Sequence, residues 1–349
     1  MGINVGVYGL DHPHRNGHLA TLDAIEGIDS LFICDPDGAA AAQQAAQLRR
    51  GVHFAGDWRA MFADETLPVI VVLTNNRDAG ALTAEAMEAG KWVYADKPGA
   101  STVADMERIV AVGERTGAYL CPCYARRCFP ETRRIAELVL GGAIGELWSF
   151  QIVWVTSQAA SRGTGNWLFH HDAAGGGIVY WLVCHWLDLL RVATGQRVQS
   201  VCAMTATLDP RIDVEDLACA CLQLESGATG TLRGGYLLDP FPGYDCADLM
   251  VAFEGSAGSL AYVPNGLSEW KLRLRSRVPG YEWAAGGAPV EVAEPDRSGY
   301  GPEFLREFLQ AHEQGTPPPA TQHDALYVLK VAEALYASAQ SGSRLQIAW

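Results

Sequence analysis

"INVGVYGLDHPHRNGH", residues 3–18, decides the fold. Its first six residues form an uncharged, largely apolar run with the character of a strand, and Gly9 stands where that run must turn. The polar, histidine-rich segment that follows opens a helix. Working outward, apolar runs at 3–8, 30–34, 69–73, 92–95 and 118–122 alternate with alanine-rich helical patterns. That alternation predicts an α/β domain built on a parallel, doubly wound sheet.

From about residue 145 the pattern changes. The runs at 146–157, 201–208, 217–224 and 229–236 are longer and alternate in polarity, with glycine-containing links such as Glu225-Ser226-Gly227. They predict an α+β domain on a large, mostly antiparallel open sheet. The boundary is expected at 123, giving domains 1–123 and 124–349. One stretch interrupts the strands, "GGGIVYWLVCHWLDLLRVATG" at 175–195, and a helix apolar nearly all round is a buried one. Near the end, "TPPPATQ" separates helices expected at 303–313 and 323–340.

With 349 residues, of which 49% are hydrophobic and 19% charged, the chain is long enough for two domains, each with its own core. A formal net charge of -14 excludes a phosphate-backbone or anionic-membrane partner, since both need clustered lysine and arginine. A small molecule is the expected partner. The nine cysteines include no Cys-x-x-Cys pair and several sit in apolar runs, which predicts reduced, buried thiols in a cytoplasmic protein. No signal peptide is visible, and the longest strongly apolar run, 67–73, is too short to span a bilayer.

A dinucleotide-binding strand feeds a G-x-G-x-x-G turn, whose glycines permit the tight turn, the approach of pyrophosphate and the packing of helix on strand. Here Gly9 is the first glycine, while Asp11 and His14 occupy the second and third places. Asp11, just before Pro13, is expected to cap the following helix and to set negative charge against a pyrophosphate. His12, His14 and Arg15 can neutralise that phosphate, and Asp35, after the second strand, can hydrogen-bond an adenosine ribose. Its carboxylate disfavours a 2'-phosphate, so NAD is expected rather than NADP. The spacing of His12, His14 and His18 supplies nitrogen ligands, but the sequence assigns them no acid. A histidine-rich helix start, with no metal, is therefore the expectation.

A lysine where an apolar strand ends is an ordinary solvated cation on its own. Yet Asp96-Lys97-Pro98, "TNNRDAGALTAEAMEAGKWV" before it and "YARRCFPETRRIAELVLGGAIGEL" after it resemble the glucose-fructose oxidoreductase and inositol dehydrogenase family, Gfo/Idh/MocA. The likeness continues through "GGGIVYWLVCHWLDLL", "VEDLACACLQLESGATGTL", "VAFEGSAGSLAY" and the last helix, so it covers nearly the whole chain. The usual tripeptide there is Glu-Lys-Pro, which Asp96 shortens while Lys97 is kept.

The resemblance implies a Rossmann domain followed by the open-sheet domain, with Lys97 and His185 as catalytic residues. Cofactor contacts are implied for Gly9, Leu10, Asp11, His12, Asp35, Thr74, Asn75, Asn76, Asp96 and Lys97. Substrate contacts are implied for Arg127, Trp167, His171, Asp172, Tyr180, Trp181 and His185. The family's aspartate one helical turn before His185 is Trp181 in this chain, which removes the carboxylate that would raise the basicity of the imidazole. Trp167, Phe169, Trp181 and Trp186 are expected to gather apolar surface suited to one face of a sugar or cyclitol ring.

The activity so implied is NAD-dependent hydride transfer at a secondary alcohol or ketone of a sugar-like substrate. Two alternatives remain open: transient use of tightly held NAD for elimination or hydrolysis of a sugar derivative, and a non-redox binding or assembly subunit. A homodimer or homotetramer, paired through the open face of the second sheet, completes what the resemblance implies.

Overall fold

The computed structural model describes residues 2–239, 247–264, 271–294, 296 and 299–349. Two compact units are present: Met1–Cys128 with Asp172–Gly175 and Asp296–Tyr327, and Phe129–His171 with Gly176–Pro295 and Val328–Trp349.

The first unit alternates β1 (Ile3–Tyr8), α1 (Arg15–Ala24), β2 (Ile28–Cys34), α2 (Gly38–Ala45), β3 (Gly51–Phe54), α3 (Trp58–Ala63), β4 (Val69–Val72), α4 (Asn76–Glu88), β5 (Trp92–Ala95), α5 (Val103–Thr116) and β6 (Leu120–Pro122). Among the described residues its six strands pair in parallel in the order β3-β2-β1-β4-β5-β6. This is the doubly wound order, whose strand sequence reverses between β1 and β4. The four valine and isoleucine residues of β4 are all buried, as a central parallel strand covered on both faces requires. Side chains punctuate the helices: Asn75 caps α4 by accepting the Asp78 N–H, and Thr102 caps α5 by accepting the Asp105 N–H at 3.1 Å.

The compact units are divided differently from a single cut at 123. The first unit runs to Cys128, and it takes back Asp296–Tyr327. The reason is burial: Tyr94 of β5 is covered by Phe304 and Phe308, with ring centroids at 6.3 and 5.4 Å.

In the second unit, α6 (Pro130–Leu140), β7 (Leu147–Thr156) and α7 (Gln158–Arg162) precede a buried helix. The helix α8 (His171–Ala174) leads into it; Val179–Val183 form one π turn, and Cys184–Thr194 continue as α9. Strands β8 (Val198–Ala206), β9 (Leu217–Leu224), β10 (Thr229–Gly235), β11 (Ala247–Gly255), β12 (Gly258–Tyr262), β13 (Leu272–Ser276) and β14 (Ala288–Pro289) follow. After α10 (Pro302–Gln314) and α11 (Gln322–Ser341), β15 (Leu345–Gln346) closes the edge of a sheet ordered β14-β13-β12-β11-β7-β10-β9-β8-β15. Only β7 and β10 pair in parallel among the described strands, so the sheet is mostly antiparallel, as expected.

His171–Thr194 is long and apolar enough to cross a membrane by length and composition, longer than the 67–73 run noted in the sequence. Since 89% of its most apolar window is buried inside the protein, it has the character of a core helix. It lies on one face of the sheet, with Trp154 of β7 against His185 and Trp186 at centroid distances of 6.1 and 6.2 Å. On the other face the alternation leaves Cys202, Met204, Cys219 and Cys221 exposed. The expectation that the thiols are buried is therefore corrected for Cys202, Cys219 and Cys221. It holds for Cys34, Cys121, Cys123, Cys128 and Cys184, and Cys246 lies outside the described residues.

Candidate functional site

The C-terminal ends of β1, β2, β4 and β5 carry the residues expected to hold a cofactor. In an open parallel sheet this edge, at the point where strand order reverses, is where a ligand crevice forms. Gly9 leaves β1 with φ +74°, and a Cβ there would meet Thr74 Cβ at 3.0 Å, so both backbone conformation and space demand glycine. Asp35, at the end of β2, accepts the Leu10 N–H at 2.6 Å and the Asp37 N–H at 2.7 Å. It thus pins the turn after β1 to the end of the next strand. Thr74, Asn75 and Asn76 are buried at the end of β4, and Asn76 Nδ2 donates to the Ala174 carbonyl at 2.8 Å.

Asp11 is exposed, and its carboxyl is raised above the usual range, chiefly by desolvation, with a hydrogen bond to the Thr74 side chain opposing the rise. It does not cap α1. That helix begins at Arg15 with His14 as its N-cap and no side-chain cap bond, so the cap position lies past Pro13 and is not Asp11.

The turn's backbone donors point inward. The Leu10 N–H is taken by Asp35, the His12 N–H by the Leu73 carbonyl at 3.2 Å and the His14 N–H by His12 Nδ1 at 3.1 Å, while Pro13 has none to give. What they enclose is the acid that the sequence could not assign to the histidines. Asp96 Oδ2 lies 2.8 Å from His14 Nδ1, 2.8 Å from His18 Nε2 and 3.5 Å from His12 Nδ1. Burial would raise the Asp96 carboxyl, but attraction to His12 and His14 and the hydrogen bonds from His14 and His18 hold it well below its ordinary range. Burial also holds His12 well below, and His14 below, the ordinary imidazole value, against the pull of Asp96. Tyr300 covers the group, stacked on His14 at 4.3 Å and edge-on to His18 at 4.7 Å. No motif in the sequence marks Tyr300.

Lys97 follows Asp96 and is fully buried, at 0% exposure. The reading of it as a solvated loop cation is excluded.

Of the residues implied for the substrate, Arg127 and Asp172 belong to the first unit and Trp167, His171, Tyr180, Trp181 and His185 to the second. Trp181 and His185 both face the corner between β7 and α7: Trp181 Nε1 donates to Gln158 Oε1 at 2.6 Å, Arg162 lies over the indole at 5.4 Å, and His185 rests on Trp154. Tyr180 points elsewhere, stacked on Tyr336 at 5.8 Å with its phenol pushed up by burial. Arg127 donates to the Pro319 carbonyl at 2.7 Å and pairs with Asp324 at 3.1 Å. Asp172 is exposed and pairs with Arg77; His171 is exposed and its N–H donates to Asp213 Oδ1 at 2.5 Å; Trp167 is half-buried. Two of the aromatic residues expected to gather have these ring partners. Phe169 packs edge-on to Tyr236 at 5.4 Å and Trp186 against Tyr262 at 6.4 Å, both as core contacts.

Glu215 has no counterpart among the expected residues, although "VED" lies in a quoted stretch. Its buried carboxylate accepts the Gly177 and Val179 N–H groups at 2.8 and 2.9 Å and the Tyr336 hydroxyl at 2.9 Å, at the start of the buried helix. Burial raises its pKa above the ordinary 4.5, against those hydrogen bonds. The folded chain therefore keeps this proton at pH values where an unfolded chain has released it, and stability falls as pH rises through the raised pKa. Glu215→Gln has no such proton to lose. Its stability relative to wild type, from urea unfolding across pH, is expected to improve steadily as pH rises above 4.5; a difference that is flat with pH rules out this contribution.

Residues 3–123 match a family described as an oxidoreductase family with an NAD-binding Rossmann fold, and 132–261 match the GFO/IDH/MocA C-terminal domain. D-apiose dehydrogenase of Paraburkholderia graminis is 26% identical over 345 residues, covering 95% of this chain and 86% of that protein. Inositol 2-dehydrogenase 1 of Saccharopolyspora erythraea is 26% identical over 333 residues, covering 90% and 94%. Levoglucosan dehydrogenase, solved with NADH and levoglucosan, superposes with a TM-score of 0.84 at 18% identity over 100% of both chains, which is a likeness of fold.

Proposed function

We propose, from the premise that this chain belongs to the GFO/IDH/MocA oxidoreductase family, that it transfers a hydride between NAD and a secondary alcohol or ketone of a sugar or cyclitol-like substrate. The observation that supports this most directly is the burial of Lys97 at the end of β5, on the ligand-binding edge of the sheet. A lysine withdrawn from water there is suited to hydrogen-bond a reacting oxygen and to relay its proton.

A dinucleotide fits the glycine-only turn at Gly9 and the crevice beside β1 and β4. Asp35 keeps a carboxylate at the ribose position, which favours NAD over NADP by repelling a 2'-phosphate. The fit is weaker at the pyrophosphate, because the N–H groups of Leu10, His12 and His14 are already engaged. When bound, NAD supplies the hydride acceptor. Lys97 receives or returns the hydroxyl proton, and His14 and His18 hold Asp96, and with it the strand end that positions the lysine. His185 is the proposed second proton-handling residue, and Trp181 the proposed apolar contact for the ring. In the same reading, chains pair through the exposed sheet face around Met204, Cys202, Cys219 and Cys221.

The test is calorimetric titration with NAD, then a panel of sugars and cyclitols scored both for NADH and for altered substrate. Absence of NAD binding would overturn the reading. Altered substrate without net NADH would transfer it to an enzyme that recycles the cofactor. Asp11→Gly removes a negative charge beside the turn and is expected to tighten NAD about threefold to tenfold. An unchanged or weaker affinity would show that Asp11 does not face the pyrophosphate.

A further inference from the structure

The outward face of the second sheet carries a pair of facing thiols. Cys202 of β8 stands directly opposite Cys221 of β9, and both are exposed. Their neighbours in the same row are Ser200 opposite Gln223 on one side and Met204 opposite Cys219 on the other. Arg344 donates to Ser200 Oγ at 3.0 and 2.8 Å, and a groove of about 170 Å³ is lined by Ser200, Cys202, Cys221, Gln223 and Arg344. Main-chain bonds define the kind of pairing. The Ala203 N–H donates to Ser338 Oγ at 2.9 Å, so Ala203 turns away from β9 and its neighbour Cys202 turns toward it. The Leu224 N–H donates to the Ala228 carbonyl at 2.8 Å, beside β10, so Cys221 three positions earlier turns toward β8. Cys202 and Cys221 are therefore a hydrogen-bonded pair, with Cα atoms about 5.5 Å apart.

We propose that Cys202 and Cys221 form a reversible thiol–disulfide site that hydroperoxides oxidise. A Cα separation of about 5.5 Å lies within the roughly 4.4–6.8 Å that a disulfide spans. The Cβ atoms of such a pair stand near the upper end of about 4.5–5.5 Å, against roughly 3.8 Å in a relaxed disulfide, so the strands must draw together as the bond forms. A bond made under that strain is readily reduced, which suits a reversible site rather than a structural staple. In the first step one thiolate attacks a peroxide oxygen; the O–O bond breaks, water leaves after proton uptake, and the sulfur becomes a sulfenic acid. The second thiol then attacks that sulfur, forms the S–S bond, gives up its proton and expels a second water. Two thiols lose two electrons and two protons, and one hydrogen peroxide is reduced to two waters. Cys219 is not the partner of Cys202, because a diagonal neighbour lies about 7–8 Å away, beyond a disulfide's reach. The bond joins two strands of one chain, so it requires neither a second copy nor the hydride-transfer reading.

The full chain, fully reduced, freed of reductant and kept in dilute solution, is treated with hydrogen peroxide, alkylated and digested with trypsin. Cleavage at Arg197, Arg211 and Arg233 places Cys202 in one peptide and Cys219 with Cys221 in the next. Mass spectrometry is expected to find these two peptides joined, with fragmentation assigning the bond to Cys221 and the mass showing the loss of two hydrogens. Glutathione should reopen the bond in the folded chain. Cys202→Ser and Cys221→Ser should each abolish the joined pair, whereas Cys219→Ser should leave its yield unchanged. Mixed ¹⁴N- and ¹⁵N-labelled chains should give joined peptides of a single label only. Peptides that stay separate in the wild type, a result that needs no variant to fold, overturn the site. So do a bond to Cys219, joined peptides of mixed label, or a bond that glutathione cannot reopen. Since the assay contains neither NAD nor sugar, its failure is separate from failure of the dehydrogenase reading.

Discussion

Lys97→Met is expected to remove most of the turnover while NAD affinity stays within about threefold of wild type. A positioned acid-base group contributes about a hundredfold or more to a step that moves a proton, so the loss should be at least that large. Methionine keeps much of the lysine stem and fills the same buried volume, which separates chemistry from packing. At a site with 0% exposure it should also leave the unfolding midpoint near wild type. His185→Ala is expected to cost less if Lys97 is the main relay. Trp181→Asp, which would place an acid one turn before His185, should raise the basicity of that imidazole and move the pH optimum upward. Equal rates for wild type and Lys97→Met, on every substrate that wild type turns over, would reduce Lys97 to a structural cation.

Gly177→Ala should be the most destabilising small substitution in the second unit. An added Cβ would lie 2.0 Å from the Glu215 carbonyl oxygen and 2.9 Å from its carbonyl carbon, and backbone on that side cannot swing away as a side-chain tip can. The displacement would also pull the Gly177 N–H from the Glu215 carboxylate, leaving a buried acceptor short of a partner. A cost above about 3 kcal/mol is expected in urea unfolding. Gly165→Ala is the comparison, because nothing lies within 4 Å of its added Cβ. If the two variants unfold alike, the close packing of the triple glycine against Glu215 is not rigid.

The strands that run through the middle of the first sheet are legible in sequence. Val69–Val72 and Trp92–Ala95 are covered on both faces, so they must be short apolar runs. The edge strand Gly51–Phe54 escapes the same reading because Gly51, His53 and Phe54 are exposed and no apolar pattern is required of them. The buried helix is plain from its composition, but its π turn at Val179–Val183 is not, since an all-apolar segment reads the same at either helical pitch. Alternation likewise announces the second sheet without saying which face stays uncovered. Cysteine is small and apolar enough to suit either, and three of them lie outward.

The site divides in the same way. Gly9, Asp35 and Asp96-Lys97 are placed by local rules, because a parallel strand must end and turn on the ligand-binding edge of its sheet. By itself, then, the sequence determined the two architectures, the turn that needs glycine, and the strand end that carries the lysine. That Asp96 gathers His14 and His18 from 82 and 78 positions away, and that Tyr300 closes over them from a segment returning near the end of the chain, was decided only by the tertiary structure. Strand order and chain return set those distances, and neither leaves a periodic trace in the residues they bring together.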